Sequence, residues 1–167
     1  MSLNDREIAM LAAELGRRLA ALGTSVATAE SCTGGLVAGA ITEIAGSSGW
    51  FDRGFVTYSN AAKMEMLGVA LRTLESHGAV SEETARAMAE GAIRASRANL
   101  AVAVTGIAGP AGGTAAKPVG SVCFAWAARN GPTTVASHQF TGDREAVRRA
   151  SVIVALQGLI DRIGNAQ

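Results

Sequence analysis

The run Leu100-Ala-Val-Ala-Val104 is apolar without a break. A strand of that composition has no face to offer water, so it belongs inside a sheet covered by helices on both sides. The surrounding pattern supplies those helices. Ile8, Leu11, Leu15, Leu19 and Leu22 recur at helical spacing and Gly23 follows as a stop, which predicts an amphipathic first helix. Residues 25–29 read as a short strand. Leu36, Val37, Ala40, Ile41 and Ile44 form a second helical stripe closed by Gly46, and Gly54 to Tyr58 reads as a strand. Asn60 is placed to N-cap a short helix through Leu67, and Ser81 to cap a longer one reaching about Ser96. A glycine-rich loop spans 105–118. Strands near 119–128 and 133–140 flank Asn130-Gly131, a hairpin signal, and a last helix runs from about Asp143 to Ile163. Helix and strand alternate first and the hairpin comes late. That order predicts an α/β fold, a three-layer α/β/α sandwich with a mixed β-sheet, as a single domain over residues 1–167.

Composition narrows the function classes. Hydrophobic residues make up 49% of the chain but aromatic ones only 4%, so Ala, Val, Leu and Ile must build the core. The net charge is +1 and no basic stripe is visible, which argues against a nucleic-acid partner and leaves room for a small anionic ligand. No apolar run reaches membrane-spanning length and no signal peptide precedes the first helix, so a cytoplasmic, membrane-free protein is expected. Cys32 and Cys123 have no metal or redox spacing, and His77 and His138 lack helical or CxxC-like partners. Neither a metal nor a cofactor is expected. Alanine-rich helices such as 85–98 offer small-residue surface for a second copy, so a homo-oligomer is expected.

Four stretches can carry chemistry. Glu30-Ser31-Cys32-Thr33-Gly34-Gly35 joins a predicted strand to a predicted helix. A hydroxyl on that turn faces backbone N–H groups able to hold an oxyanion, although a plain cap-and-turn has the same local pattern. Tyr58-Ser59-Asn60-Ala61-Ala62-Lys63 places Lys63 in the first turn of a helix, where the dipole and partial burial lower a lysine pKa. A neutral lysine can take a proton from a serine, with Tyr58 as a supporting hydroxyl. An exposed lysine on a short surface helix is the bland alternative. Residues 105–120 hold five glycines after a buried strand, where α/β sheets bind ligands. Arg144, Arg148 and Arg149 crowd the start of the last helix, where an anion would relieve their clash with the dipole, unless carboxylates such as Glu145 and Asp161 pair with them. Cys32, beside Ser31, is a less favoured nucleophile than a small buried hydrophobe.

Together AESCTGG at 29–35, YSNAAK at 58–63, GAVSEETA at 78–85, TGIAGPAGGTAAKPVG at 105–120 and FTGDREAVR at 140–148 resemble the CinA carboxy-terminal domain family. Its enzymatic members are nicotinamide-nucleotide amidases. The resemblance implies an α/β/α fold in stand-alone form and conversion of nicotinamide mononucleotide to nicotinic acid mononucleotide and ammonia, in pyridine nucleotide salvage. It implies a metal-free serine–lysine mechanism. Ser31 is then the nucleophile, Lys63 the general base and Tyr58 the supporting hydroxyl. Thr105, Gly106 and Gly109 would line the nucleotide pocket. Glu30, Cys32, Thr33, Gly34, Gly35 and Asn60 complete the expected substrate-binding set, with Arg144 assigned to the phosphate on the dipole argument. The rival expectation is a non-catalytic nucleotide-binding module or a competence-related interaction module.

Overall fold

A computed structural model of the chain describes residues 2–163; Met1 and residues 164–167 of the expected domain lie outside the described residues. The elements run α1 (Leu3–Leu22), β1 (Val26–Glu30), α2 (Leu36–Thr42), β2 (Phe51–Val56), α3 (Asn60–Leu67), α4 (Leu71–His77), α5 (Glu82–Arg94), β3 (Leu100–Gly106), β4 (Ser121–Ala128), β5 (Thr134–Gln139) and α6 (Arg144–Ile163). One five-stranded mixed sheet has the order β2-β1-β3-β4-β5. β1 pairs in parallel with both β2 and β3, while β4 and β5 add as an antiparallel hairpin. The chain leaves β1 for β2 on one side, then crosses back to β3 on the other. The crevice beyond the carboxyl ends of β1 and β3 is thus a topological switch point, where open α/β sheets place ligands.

The two faces of the sheet differ in a way written along each central strand. Val26, Leu100, Val102, Val104, Val122, Phe124 and Trp126 project to one face and pack on α1, α2 and α6. Ala27, Ala29, Ala101, Ala103, Ala125 and Ala127 alternate with them and line the other face, under α3, α4 and α5. Small residues on that second face let α5 lie close to the strands with its own Ala85, Ala89 and Ala92 turned inward and fully buried. The alanine-rich helix expected to meet a second copy is therefore spent on its own sheet. Gly91 permits a further close approach, since a methyl there would collide with the carbonyl oxygen of Leu67.

Several boundaries depart from the sequence reading. β2 begins at Phe51 rather than Gly54. It is an edge strand and its Asp52 and Arg53 face water, so the apolar alternation that marks a strand is missing. Ser59, not Asn60, caps α3 by accepting from the Ala62 N–H at 3.0 Å, which makes Lys63 the fourth helical residue. α4 escaped the periodicity because it spans seven residues and buries only Leu74. Asp143 caps α6 rather than opening it, its carboxylate accepting from the Ala146 N–H at 2.9 Å.

Candidate active site

Ser31 is the first residue past β1. Its N–H donates to the Val104 carbonyl at 2.9 Å, and the Glu30 carbonyl before it accepts from Thr57 at 2.8 Å. The end of β1 is thereby fixed to both neighbouring strands. After β2 the chain turns into α3, which carries Lys63 back over the end of β1. Lys63 Nζ lies 3.1 Å from Ser31 Oγ and 2.9 Å from the Thr57 carbonyl oxygen. The lysine is 1% exposed, and no carboxylate pairs with it among the described residues. Burial pushes its pKa below the ordinary lysine value, because the ammonium form loses hydration without gaining a counter-ion. The dipole of α3 is not needed to explain the shift.

Cys32 is buried, and that burial pushes its thiol up to about 12. At neutral pH it holds its proton and packs as a small apolar group, so it is no rival to the serine.

A cleft of about 290 Å³ opens in front of the serine–lysine pair. Ser31, Cys32, Tyr58, Asn60, Lys63, Thr105, Gly106, Gly109 and Arg144 all line it, joined by Ala79, Val80, Ile107, Ala108, Ala111 and Gly112. Its walls contain Arg144 as a cation, Lys63 as a buried base and no acidic side chain, a balance that suits an anionic guest. The Ala79-Val80 wall was not legible, since neither residue carries chemistry of its own.

The remaining expected site residues shape the turn instead of facing the cleft. Glu30 is fully buried, and its carboxylate accepts from the Val37 and Ala38 N–H groups at 2.8 and 3.0 Å. It caps α2, whose own N-cap residue, Gly35, has no side chain for the task. Thr33 is buried; Gly34 and Gly35 take positive φ, and the Gly34 N–H closes the turn on the Ser31 carbonyl at 3.0 Å. The N–H groups of Cys32 and Thr33 meet no carbonyl among the described residues.

Two expected roles meet a different geometry. The Tyr58 hydroxyl accepts from Arg144 Nη2 at 3.0 Å, and no bond joins it to Ser31 or Lys63. Thr105 Oγ1 donates to the Ala79 carbonyl at 2.7 Å, so its hydroxyl ties β3 to the wall of the cleft. The arginine cluster at the start of α6 is met by carbonyls and carboxylates. Arg144 Nη1 donates to the Gly109 carbonyl at 2.8 Å. Arg148 reaches the Cys32 and Thr33 carbonyls. Arg149 pairs with Glu145 at 2.9 Å and with Asp5, whereas Asp161 accepts from Gln157. Among the described residues no group of three or more His, Cys, Asp or Glu side chains is arranged to hold a metal ion. No described helix is long and apolar enough to cross a membrane.

Fold and site together define a class: an α/β/α sandwich with a buried serine–lysine pair at the switch point of a mixed sheet. Within that class the family is clear. A family model described as the CinA C-terminal domain matches residues 8–163, and the chain belongs to that family. It is 56% identical over 155 residues to the nicotinamide-nucleotide amidohydrolase PncC of Enterobacter agglomerans, covering 93% of this chain and 94% of that protein. It is 54% identical over 157 residues to the protein of the same name from Escherichia coli K12, covering 94% and 95%. Among solved structures, the competence/damage inducible protein CihA from Agrobacterium tumefaciens superposes with a TM-score of 0.93 at 55% identity, covering 96% of this chain and 98% of that one.

Proposed function

We propose that this protein is a nicotinamide-nucleotide amidase that converts nicotinamide mononucleotide to nicotinic acid mononucleotide and ammonia by a serine–lysine mechanism. The observation that carries the reading is the 3.1 Å approach of a buried, carboxylate-free lysine to the one hydroxyl at the end of β1. A lysine whose pKa burial lowers gives up its proton more readily and so serves as a base, and it sits within reach of the proton it must take. The names of the relatives supply the substrate class, and the cationic, acid-free cleft fits a nucleotide phosphate.

Neutral Lys63 retains two N–H bonds. One donates to the Thr57 carbonyl, which turns the lone pair towards Ser31. Lys63 takes the Ser31 proton as Oγ attacks the carboxamide carbon. The oxyanion is held by backbone N–H groups of the turn after Ser31, of which Cys32 lines the cleft. The C–N bond breaks and ammonia leaves with the proton returned by Lys63. Water then attacks the acyl ester, Lys63 takes its proton, and Ser31 departs protonated while the acid is released. Arg144, held by Gly109 and Tyr58, serves the phosphate, and Tyr58 acts through Arg144. Thr105, Gly106, Gly109 and Asn60 shape the pocket around the nucleotide.

The enzyme works in the cytoplasm, where two free cysteines stay reduced and a soluble nucleotide is at hand. It needs no metal, because the pair supplies both nucleophile and base. We take it to be a homo-oligomer, since Leu3 and Met10 leave apolar surface on α1.

The test is ammonia release from nicotinamide mononucleotide by the purified protein, without added metal, beside Ser31→Ala. The parent is expected to turn over, and the variant to lose several orders of magnitude in kcat. Near-parental turnover by folded Ser31→Ala would rule out the mechanism. A folded parent that binds the nucleotide without releasing ammonia would leave a binding module.

A further inference from the structure

The turn that carries Ser31 is held by a residue outside the cleft. Arg148 lies in the second turn of α6, one turn after Arg144 and on the same face. Its Nε donates to the Cys32 carbonyl at 3.1 Å, and its Nη2 to the Thr33 carbonyl at 3.2 Å. Two donors of one rigid guanidinium thus hold two consecutive peptide groups. No carboxylate competes for this arginine among the described residues.

The Thr33 carbonyl also accepts from the Leu36 N–H at 3.1 Å, whereas the Cys32 carbonyl has no donor other than Arg148 among the described residues. Thr33 Oγ1 is buried without a hydrogen-bond partner, and the next two residues are glycines. Gly34 lies beside the fork, where a methyl would only touch Arg148 Nη2 at 3.4 Å; its positive φ, not lack of space, is what calls for glycine. In a trans peptide the carbonyl and the following N–H point opposite ways. Drawing the Thr33 carbonyl towards α6 turns the Gly34 N–H back to the Ser31 carbonyl, where it closes the turn at 3.0 Å. The clamp therefore reaches the backbone of the nucleophile.

Arg148 itself lines a separate open groove of about 750 Å³ between α1, α2 and α6, and it does not line the cleft. That groove holds three arginines against Asp5, Glu43, Asp143 and Glu145, so it is a poor seat for a phosphate. Arg148 faces backbone carbonyls, not substrate.

We propose that Arg148 is a positioning residue for the amidase reaction: its two-donor clamp on the Cys32 and Thr33 carbonyls holds Ser31 in line with Lys63 and the scissile carboxamide. The inference rests on the serine–lysine reading above. A misplacement of the nucleophile acts on the chemical step, while the residues that bind the nucleotide stay where they are.

The experiment measures kcat and KM for nicotinamide mononucleotide in the parent, Arg148→Met and Arg148→Lys, below their thermal midpoints. Arg148→Met is expected to lose roughly 10–100-fold in kcat with KM within about threefold. Arg148→Lys offers a point charge in place of the fork and is expected to lose kcat to a smaller extent. The pH limb set by Lys63 should not move in either. Millimolar guanidinium is expected to restore part of the kcat of Arg148→Ala. Parental kcat in a folded Arg148→Met or Arg148→Lys would overturn the proposal, as would a loss confined to KM. If Arg148→Met fails to fold, Arg148→Lys decides by itself. A parent that releases no ammonia would instead defeat the amidase reading on which the inference rests.

Discussion

At the scale of the residue, the decisive fact is a lysine buried without a counter-ion. A surface lysine gains nothing from such a place, and a structural one would be paired. Lys63 gives up hydration and receives a carbonyl and a hydroxyl in return. Two consequences share one cause. Activity requires the neutral amine, so kcat/KM for nicotinamide mononucleotide should rise with pH on a limb whose midpoint lies below the ordinary lysine value of 10.5. Stability must follow the same titration. Below the folded-state pKa both folded and unfolded chains carry the proton, and the cost of the buried ammonium is present in full. Between that pKa and 10.5 only the unfolded chain holds the proton, so stability rises with pH, and above 10.5 the cost is gone. Lys63→Met removes this titration. Urea midpoints across pH should show the parent gaining on the variant as pH rises; a constant difference would mean that Lys63 is not held below its usual pKa. Neither partner of the pair was secure from its local pattern, since a cap-and-turn serine and a first-turn lysine are both ordinary. Their separation of 32 positions closes only because β2 lies beside β1, and pairing of strands is not visible in spacing.

At the scale of the element, the turn after β1 shows how a sequence motif divides its labour. In Glu30-Ser31-Cys32-Thr33-Gly34-Gly35 only Ser31 and Cys32 face the cleft. Glu30 looks like a second polar group for substrate, yet its carboxylate caps α2 from the preceding strand. Glu30→Gln keeps one oxygen but sets an amide NH₂ group against a backbone N–H. It should cost about 1–3 kcal/mol of stability, read as a lower urea midpoint at unchanged slope. An unchanged midpoint would show that the cap is dispensable. α1 was legible because its apolar periodicity repeats over several turns, and α5 because Ser81 marks its start. β2 and α4 were not. An edge strand with charged residues and a seven-residue helix with one buried side chain leave too little pattern to read.

At the scale of the whole molecule, the chain's end completes the site begun near its start. The alternation of elements was enough to read a layered α/β fold with a mixed sheet. It could not give the strand order, and so it could not show that α6 returns to the nucleophile turn. α6 packs on α1 and α2 over the large-residue face of the sheet, burying Val147, Val152, Leu156, Leu159 and Ile160. Its first two turns place Arg144 on the glycine loop and Arg148 on the Ser31 turn, so one helix registers both walls of the cleft. Removing residues 141–167 would test this coupling. Each large aliphatic side chain lost from the core contributes roughly 1.5–3 kcal/mol, and five of them, about 7.5–15 kcal/mol, are comparable to the ~5–15 kcal/mol by which such a domain is stable. Phe124 and Trp126 would also be uncovered. The truncated chain should therefore lose its near-ultraviolet circular dichroism, bind hydrophobic dyes and release no ammonia, although Ser31 and Lys63 are both present. A truncated chain that kept a cooperative thermal transition would show that α6 is an accessory to a core standing without it.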